Sequence, residues 1–338
     1  MTCQPTSATA AFVITTLCAT PTPGFAATPL SYLESYGSRG DPVRSLTWAM
    51  LIISTVVVVI VTGLVLWGVL REGPAEAAGI TREGNGLRLI TAGLVVTVVV
   101  LLGSVVWTMV VLAEVGAAPA APKLTLDISG HQWWWQVRYE GETPAETFVT
   151  ANEVHIPVGE PVRINLSSSD VIHSFWVPAL SGKTDTVPGQ VNTTWIEAHA
   201  PGTFLGQCAE FCGAQHAHMG FRIVAEPRDR FEAWLADQLA PAAVPAERIA
   251  AAGQETFGRR CAACHAVRGT TAGGVFGPDL SHLATRATLA AGTVPNTPGH
   301  LSAWIADPQH LKPGTRMPVV PLTGSELEQV RAYLATLN

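Results

Sequence analysis

Twelve residues past the middle of the chain, Cys208-Ala-Glu-Phe-Cys212-Gly-Ala-Gln-His216-Ala-His218-Met219, hold two thiols, two imidazoles and a thioether. A further histidine lies upstream, in Ser167-Ser-Ser-Asp170-Val-Ile-His173. Soft thiolate and thioether ligands combined with imidazoles select copper over harder ions. Two thiolates in one loop can bridge two copper ions, with a histidine at each end and Met219 as a weak ligand. Charge shared over two metals and two sulfurs changes bond lengths little on reduction, which is what fast electron transfer needs. A structural zinc site of two Cys and two His would leave Met219 without a role. A Cys-x3-Cys disulfide is chemically open.

A second constellation follows some fifty residues on. Cys261-Ala-Ala-Cys264-His265 has the spacing of covalent haem c attachment, in which the thiols add to the haem vinyl groups and His265 becomes the proximal ligand. Met317, in Gly314-Thr-Arg-Met317-Pro318, is the expected sixth ligand, with His282, His300 and His310 as rivals. Met/His ligation raises the reduction potential and leaves no open iron position, so it favours electron transfer over oxygen chemistry. A thioredoxin-like Cys-x-x-Cys would sit in a βαβ pattern, and none surrounds this one.

These groups need elements to position them. With 338 residues, 48% hydrophobic and only 14% charged, the chain has room for two soluble domains and an apolar anchor. Residues 47–70 and 89–113 carry no charge, and each exceeds the roughly 20 residues that span a bilayer as a helix. Arg71, Arg82 and Arg88 between them place that loop in the cytoplasm and both soluble flanks outside. Residues 1–27 resemble a secretory signal, with an apolar stretch before Pro21, Pro23 and Gly24. Leu17 is bulky for a lipidation site at Cys18.

From 118 to 227 short Val-, Ile-, Thr- and Trp-rich runs alternate with turn signals, predicting strands at 124–129, 133–139, 153–156, 162–167, 194–198 and 222–224. Strands at this spacing argue for a β-sandwich or barrel. Residues 228–239 read as an amphipathic helix and 240–245 as a short linker. Residues 246–338 are helical, with helices predicted at 247–260, 300–307 and 325–337, the last capped by Ser325. The formal charge of −6 is unevenly spread: residues 118–227 hold eleven acidic and five basic side chains, residues 246–338 six and eight. Opposite signs favour docking of one domain on the other around Trp133. No basic run points to nucleic acid.

The copper constellation, with Gly130-His-Gln-Trp-Trp-Trp135 and Lys183-Thr-Asp185, resembles subunit II of haem-copper cytochrome c oxidases, over roughly residues 40–227. The resemblance implies a two-helix transmembrane hairpin over 28–117 and an all-β cupredoxin-like barrel over 118–227; after the helix and linker of 228–245, the helix before Cys261 and Gly277-Pro278-Asp279-Leu280 after His265 fit an all-α class I cytochrome c domain. It implies His173, Cys208, Cys212, His216 and Met219 as ligands of the dinuclear copper (copper A), with the backbone carbonyl of Glu210. The Glu210 side chain would help hold a magnesium ion against subunit I. Trp133 would receive electrons, and Asp170 would be a nearby acidic contact. His218 reads as an exposed or packing residue, since His216 fits the spacing better, and His131, His155 and His199 read as structural. Trp134 and Ala209 replace a tyrosine and a serine usual in the family, and neither change removes a ligand. Glu83 lies several residues early for the glutamate the family often has at a proton-channel mouth.

The expected partners are oxidase subunits I and III, a cytochrome c or another respiratory donor, and the lipid bilayer of a bacterial-type cell membrane, with oxygen reduced in subunit I and protons translocated by the complex. The rivals are a nitric oxide or nitrous oxide reductase using the same copper module, and a copper-delivery protein. The latter would need neither Met219 nor a haem.

Overall fold

The computed structural model describes residues 30–71, 85–116 and 121–338. The signal-like stretch 1–27, with Cys18, and both Arg82 and Glu83 lie outside the described residues. Two helices open the fold, α1 (Asp41–Leu70) and α2 (Asn85–Gly116). Each is longer than its uncharged run because a polar first turn joins it, Asp41 to Arg44 with Pro42 in α1 and Asn85 to Arg88 in α2. They are long and apolar enough to cross a membrane, and their apolar side chains face outward all round. A helix hydrophobic on every side needs an apolar surrounding. Arg39, just before α1, donates from Nε to Val115 O at the end of α2 (3.1 Å) and from Nη1 to Thr194 Oγ1. The backbone at Tyr36 also pairs with Ala179 and His199. The anchor is thereby tied to the β domain.

That domain is a sandwich of two five-stranded sheets. One sheet runs β3-β2-β1-β5-β8, formed by Phe148–Ala151, Trp134–Tyr139, Leu124–His131, Val162–Ser168 and Asn192–Ile196. The other runs β4-β10-β9-β6-β7, formed by Glu153–Pro157, Gly220–Glu226, Gly202–Cys208, His173–Trp176 and Thr184–Thr186. Period-2 burial along β1, β2, β5 and β10 fills the space between them with Leu126, Ile128, Trp135, Ile164, Leu166 and Ile223. Four of these strands escape the sequence pattern: β3, β6 and β7 have four residues or fewer, and β9 carries two glycines. The strand expected from 133 begins at Trp134.

Helix α3 (Arg228–Leu239) lays Phe231 and Trp234 on the sandwich, with Trp234 stacked on His155 at 4.1 Å. The remaining chain is helical: α4 (Arg248–Arg260), α5 (Pro298–Ala306), α6 (Pro308–Leu311) and α7 (Gly324–Leu334). The N-cap of α7 is Thr323, not Ser325. Its hydroxyl accepts from the Glu326 amide while the Glu326 carboxylate accepts from the Thr323 amide, a reciprocal box that starts the helix two residues before Ser325. Helices α4 and α7 cross at Gly253, where any Cβ would strike the Gln329 carbonyl oxygen. Phe257 and Tyr333 pack beside that crossing with ring centroids 5.5 Å apart.

Candidate metal and haem centres

The sandwich brings the upstream histidine to the cysteine loop through its hydrogen-bond ladder. Strand β6 begins at His173 and pairs with the end of β9, setting Phe175 opposite Cys208. The amide of Ala209 then donates to Ser174 O (3.0 Å) and that of Cys208 to Met219 O (3.1 Å), which closes the loop onto itself. Gly130 leaves room for the imidazole, since a Cβ there would lie 2.7 Å from His173 Cδ2.

Cys208 Sγ and Cys212 Sγ are 3.8 Å apart, His216 Nδ1 is 3.6 Å from Cys212 Sγ, and Met219 Sδ is 3.8 Å from the same sulfur. Cys208 Sγ lies 3.2 Å from Glu210 O. One ligand atom each from His173, Cys208 and Cys212 lies within 4.8 Å of the others. His173, Cys208, Cys212 and Met219 are all buried. All five side chains and the Glu210 carbonyl therefore converge. His218 stands apart, exposed, with Nδ1 2.7 Å from Gln215 Oε1.

The electrostatics of this pocket suit a cation. A hydrogen bond shared between the sulfurs holds one thiol low and pushes the other up, so the pair carries a single negative charge. Burial lowers the His173 pKa, but the pull of the nearby Cys208 sulfur and the hydrogen bond to the Asp170 carboxylate outweigh it and raise it overall. Asp170 Oδ1 accepts a hydrogen bond from His173 Nε2 at 2.8 Å. That leaves Nδ1, buried and without any hydrogen-bond partner, for a metal. An orphaned buried nitrogen beside a charged sulfur pair is a costly arrangement unless an ion completes it.

Asp170 does more than lie nearby. Its carboxylate also accepts from the Gln132 and Val171 amides (both 2.8 Å) and pairs with Arg316 at 3.2 Å. Trp133 is joined to the sulfur loop directly: its Nε1 donates to Cys212 O at 3.0 Å, beside Gln132 Nε2 on the same oxygen at 2.8 Å. The Glu210 carboxylate is half exposed, 3.9 Å from Lys183 Nζ.

In the helical domain Cys261, Cys264, His265 and Met317 all line one cavity of about 260 Å³. His265 Nδ1 donates to Pro278 O (2.8 Å), which fixes the ring and the tautomer with Nε2 unprotonated. Burial lowers its pKa, keeping it neutral as an iron ligand must be. The three rival histidines do not line this cavity: His282 Nδ1 bonds Asn338 O, His300 caps with Thr297, and the His310 amide bonds Asp307.

Several residues that matter carried no signal in the sequence. Lys312, Gln132 and Arg316 sit where the two domains meet, and Gln132, Trp133 and Trp134 from the β domain form part of the cavity wall. The basic domain does rest against Trp133, which is only 7% exposed. Yet among the described residues Arg316–Asp170 is the one ion pair crossing between the domains. Most cross-domain partners are backbone carbonyls, such as Ala145 O and Thr147 O for Arg268.

Residues 140–226 match the family described as cytochrome c oxidase subunit II, periplasmic domain, and residues 250–338 match the cytochrome c family. Among curated relatives, cytochrome c oxidase subunit 2 of Alkalihalophilus pseudofirmus is 44% identical over 215 residues, covering 63% of this chain and 61% of the relative. That of Bacillus sp. is 33% identical, covering 64% and 62%, and that of Bacillus subtilis 30%, covering 65% and 64%. The matched stretch thus spans less than two thirds of the length of each of these relatives. With two apolar helices ahead of them, residues 140–226 form a domain of the family described as cytochrome c oxidase subunit II, periplasmic domain, and residues 250–338 a cytochrome c domain on its C-terminal side.

Proposed function

We propose that this chain is the membrane-anchored electron-accepting subunit of a respiratory oxidase, receiving electrons at a covalent haem c and passing them through dinuclear copper to haem in subunit I. The observation that carries this reading is the convergence of His173, Cys208, Cys212, His216, Met219 and the Glu210 carbonyl, with the buried His173 Nδ1 left without a partner. His173, Cys208, Cys212, His216 and Met219, with the Glu210 carbonyl, would hold the copper pair. Cys261, Cys264, His265 and Met317 would hold the haem. When bound, each group supplies a one-electron carrier with no open position for substrate. The protein's part is to keep water from the sulfurs, hold His173 through Asp170, and set Trp133 against the copper loop.

The chain carries no oxygen-reducing site of its own in this reading; reduction to water and proton translocation belong to the assembled complex with subunits I and III. Trp133 is the point of transfer toward the copper loop, and Asp170 supports the His173 ligand. The half-exposed Glu210 carboxylate would contact magnesium at the subunit I face. Helices α1 and α2 would span a bacterial cell membrane, with both soluble domains on its outer side and a cytochrome c or similar carrier as donor. The purified complex should give a mixed-valence copper spectrum, a haem c absorption band and oxygen consumption. A single-copper spectrum, or consumption of nitric oxide but not oxygen, would overturn the assignment.

A further inference from the structure

Lys312, in the loop after α6, is 2% exposed, yet among the described residues no carboxylate pairs with it. Its ammonium donates to three backbone carbonyls instead: Trp133 O and His218 O, both at 2.7 Å, and Ala290 O at 2.9 Å. The first two belong to the copper domain and the third to the haem domain. A buried charge without a counter-ion is tolerated only where every proton finds an acceptor. Three converging carbonyls meet that demand in full, and they converge only when the domains are seated together.

The surrounding contacts share this register. Gln215 Nε2 donates to Pro313 O (2.8 Å) and the Gly220 amide to Ala291 O (2.9 Å). The Ala287 amide donates to Glu153 Oε2 (3.2 Å), and Gly314 lies beside the Trp133 ring, where a Cβ would be 3.5 Å from Cη2. Lys312 and Trp133 both line the cavity that holds Cys261, Cys264 and His265. One ammonium therefore touches the haem cavity, the backbone of the tryptophan bonded to Cys212, and the residue before Met219.

We propose that Lys312 is a positioning residue that latches the haem domain in a single register on the copper domain, so that transfer between the two sites starts from a preformed contact at Trp133 rather than from encounters on a tether. A buried charge of this kind selects one arrangement more than it adds strength, because any slipped register leaves the ammonium unsatisfied. The docked haem domain also covers Trp133, so a soluble donor has to deliver electrons to the haem domain and not to the tryptophan.

This rests on the electron-transfer reading above, and the two fail differently. Lack of either the copper or the haem signature in the wild-type complex would sink that reading; the latch is tested with both signatures present. In the full complex, haem-to-copper transfer after rapid photoreduction should be insensitive to viscosity and salt. In Lys312→Met, which keeps length and loses all three donors, it should slow by about tenfold or more and become dependent on both. Hydrogen exchange at the Gly220 and Ala287 amides should speed up in the same variant. A wild-type rate that falls in proportion to viscosity overturns the proposal, as does a variant with unchanged rate and exchange. If Lys312→Met fails to take up haem, the wild-type viscosity series alone decides between these outcomes.

Discussion

The two soluble domains solve the same problem, holding a one-electron carrier, in opposite ways. The copper domain builds its site from a finished β-sandwich: ladder hydrogen bonds at Ser174, Cys208 and Met219 bring Cys208 Sγ, His216 Nδ1 and Met219 Sδ within 4 Å of Cys212 Sγ, and His173 within 4.8 Å of both cysteine sulfurs, before any metal is considered. The haem domain has a short helical shell around a cavity of about 260 Å³. Its core is completed by what fills that cavity. A site that the fold makes should tolerate loss of its metal, whereas a fold that its ligand completes should not.

The largest effect follows from that difference. Replacing both Cys261 and Cys264 with serine prevents haem attachment. At ~24 cal/mol per Å³ of empty cavity, a void of about 260 Å³ costs about 6 kcal/mol, comparable to the whole stability of a small domain. The haem domain should then be digested by a protease that leaves the copper domain intact, which mass spectrometry of the fragments will read. The reverse change, Cys208→Ser, should leave both domains folded and the haem band unaltered, while the copper-to-haem ratio falls from about two to below about one, because a bridging thiolate is gone. Equal protease sensitivity in the two variants would erase the contrast.

Smaller changes sharpen it. Asp170→Asn keeps the shape around His173 but removes the charge that orients the imidazole, and copper affinity should fall by about 10–100-fold by competition with a chelator, with haem content unchanged. The smallest expected effect concerns the interface. Burial raises the Glu153 pKa, but hydrogen bonds from His155 and the Ala287 amide outweigh it and hold the group below its ordinary value. A depressed carboxylate contributes stability that is complete above about pH 4.5 and is lost as pH falls through the lowered value. Hydrogen exchange at Ala287 should therefore rise on acidification below that point and stay flat above it. Glu153→Gln should show the raised exchange at neutral pH and lose the acid-dependent step.

The parts of this molecule that were legible in the sequence are those written locally. Cys261-Ala-Ala-Cys264-His265 is five consecutive residues, and the copper loop twelve, so residue type and spacing alone named their chemistry. The apolar helices announced themselves by length. What the sequence hid depends on distant chain segments meeting. The four-residue strand that starts at His173 exists because β9 offers it a ladder, not because its own residues alternate. Ser325 looked like a cap because it precedes the apolar spacing, while the capping box two residues earlier required knowing where the turn begins. Charge counts foresaw that the domains would meet near Trp133, but not how: Lys312 reads as one more surface lysine until its three carbonyl partners, from three separate segments, are brought together.

The account turns on the two sites being consecutive stations on one chain, already in contact. Its most direct test is to reduce the haem rapidly in the oxidised full-length complex and follow the haem and copper absorption together over a wide range of protein concentration. Haem oxidation and copper reduction should proceed with one shared rate that does not change with concentration. A rate proportional to concentration, or haem oxidation without matching copper reduction, would contradict it.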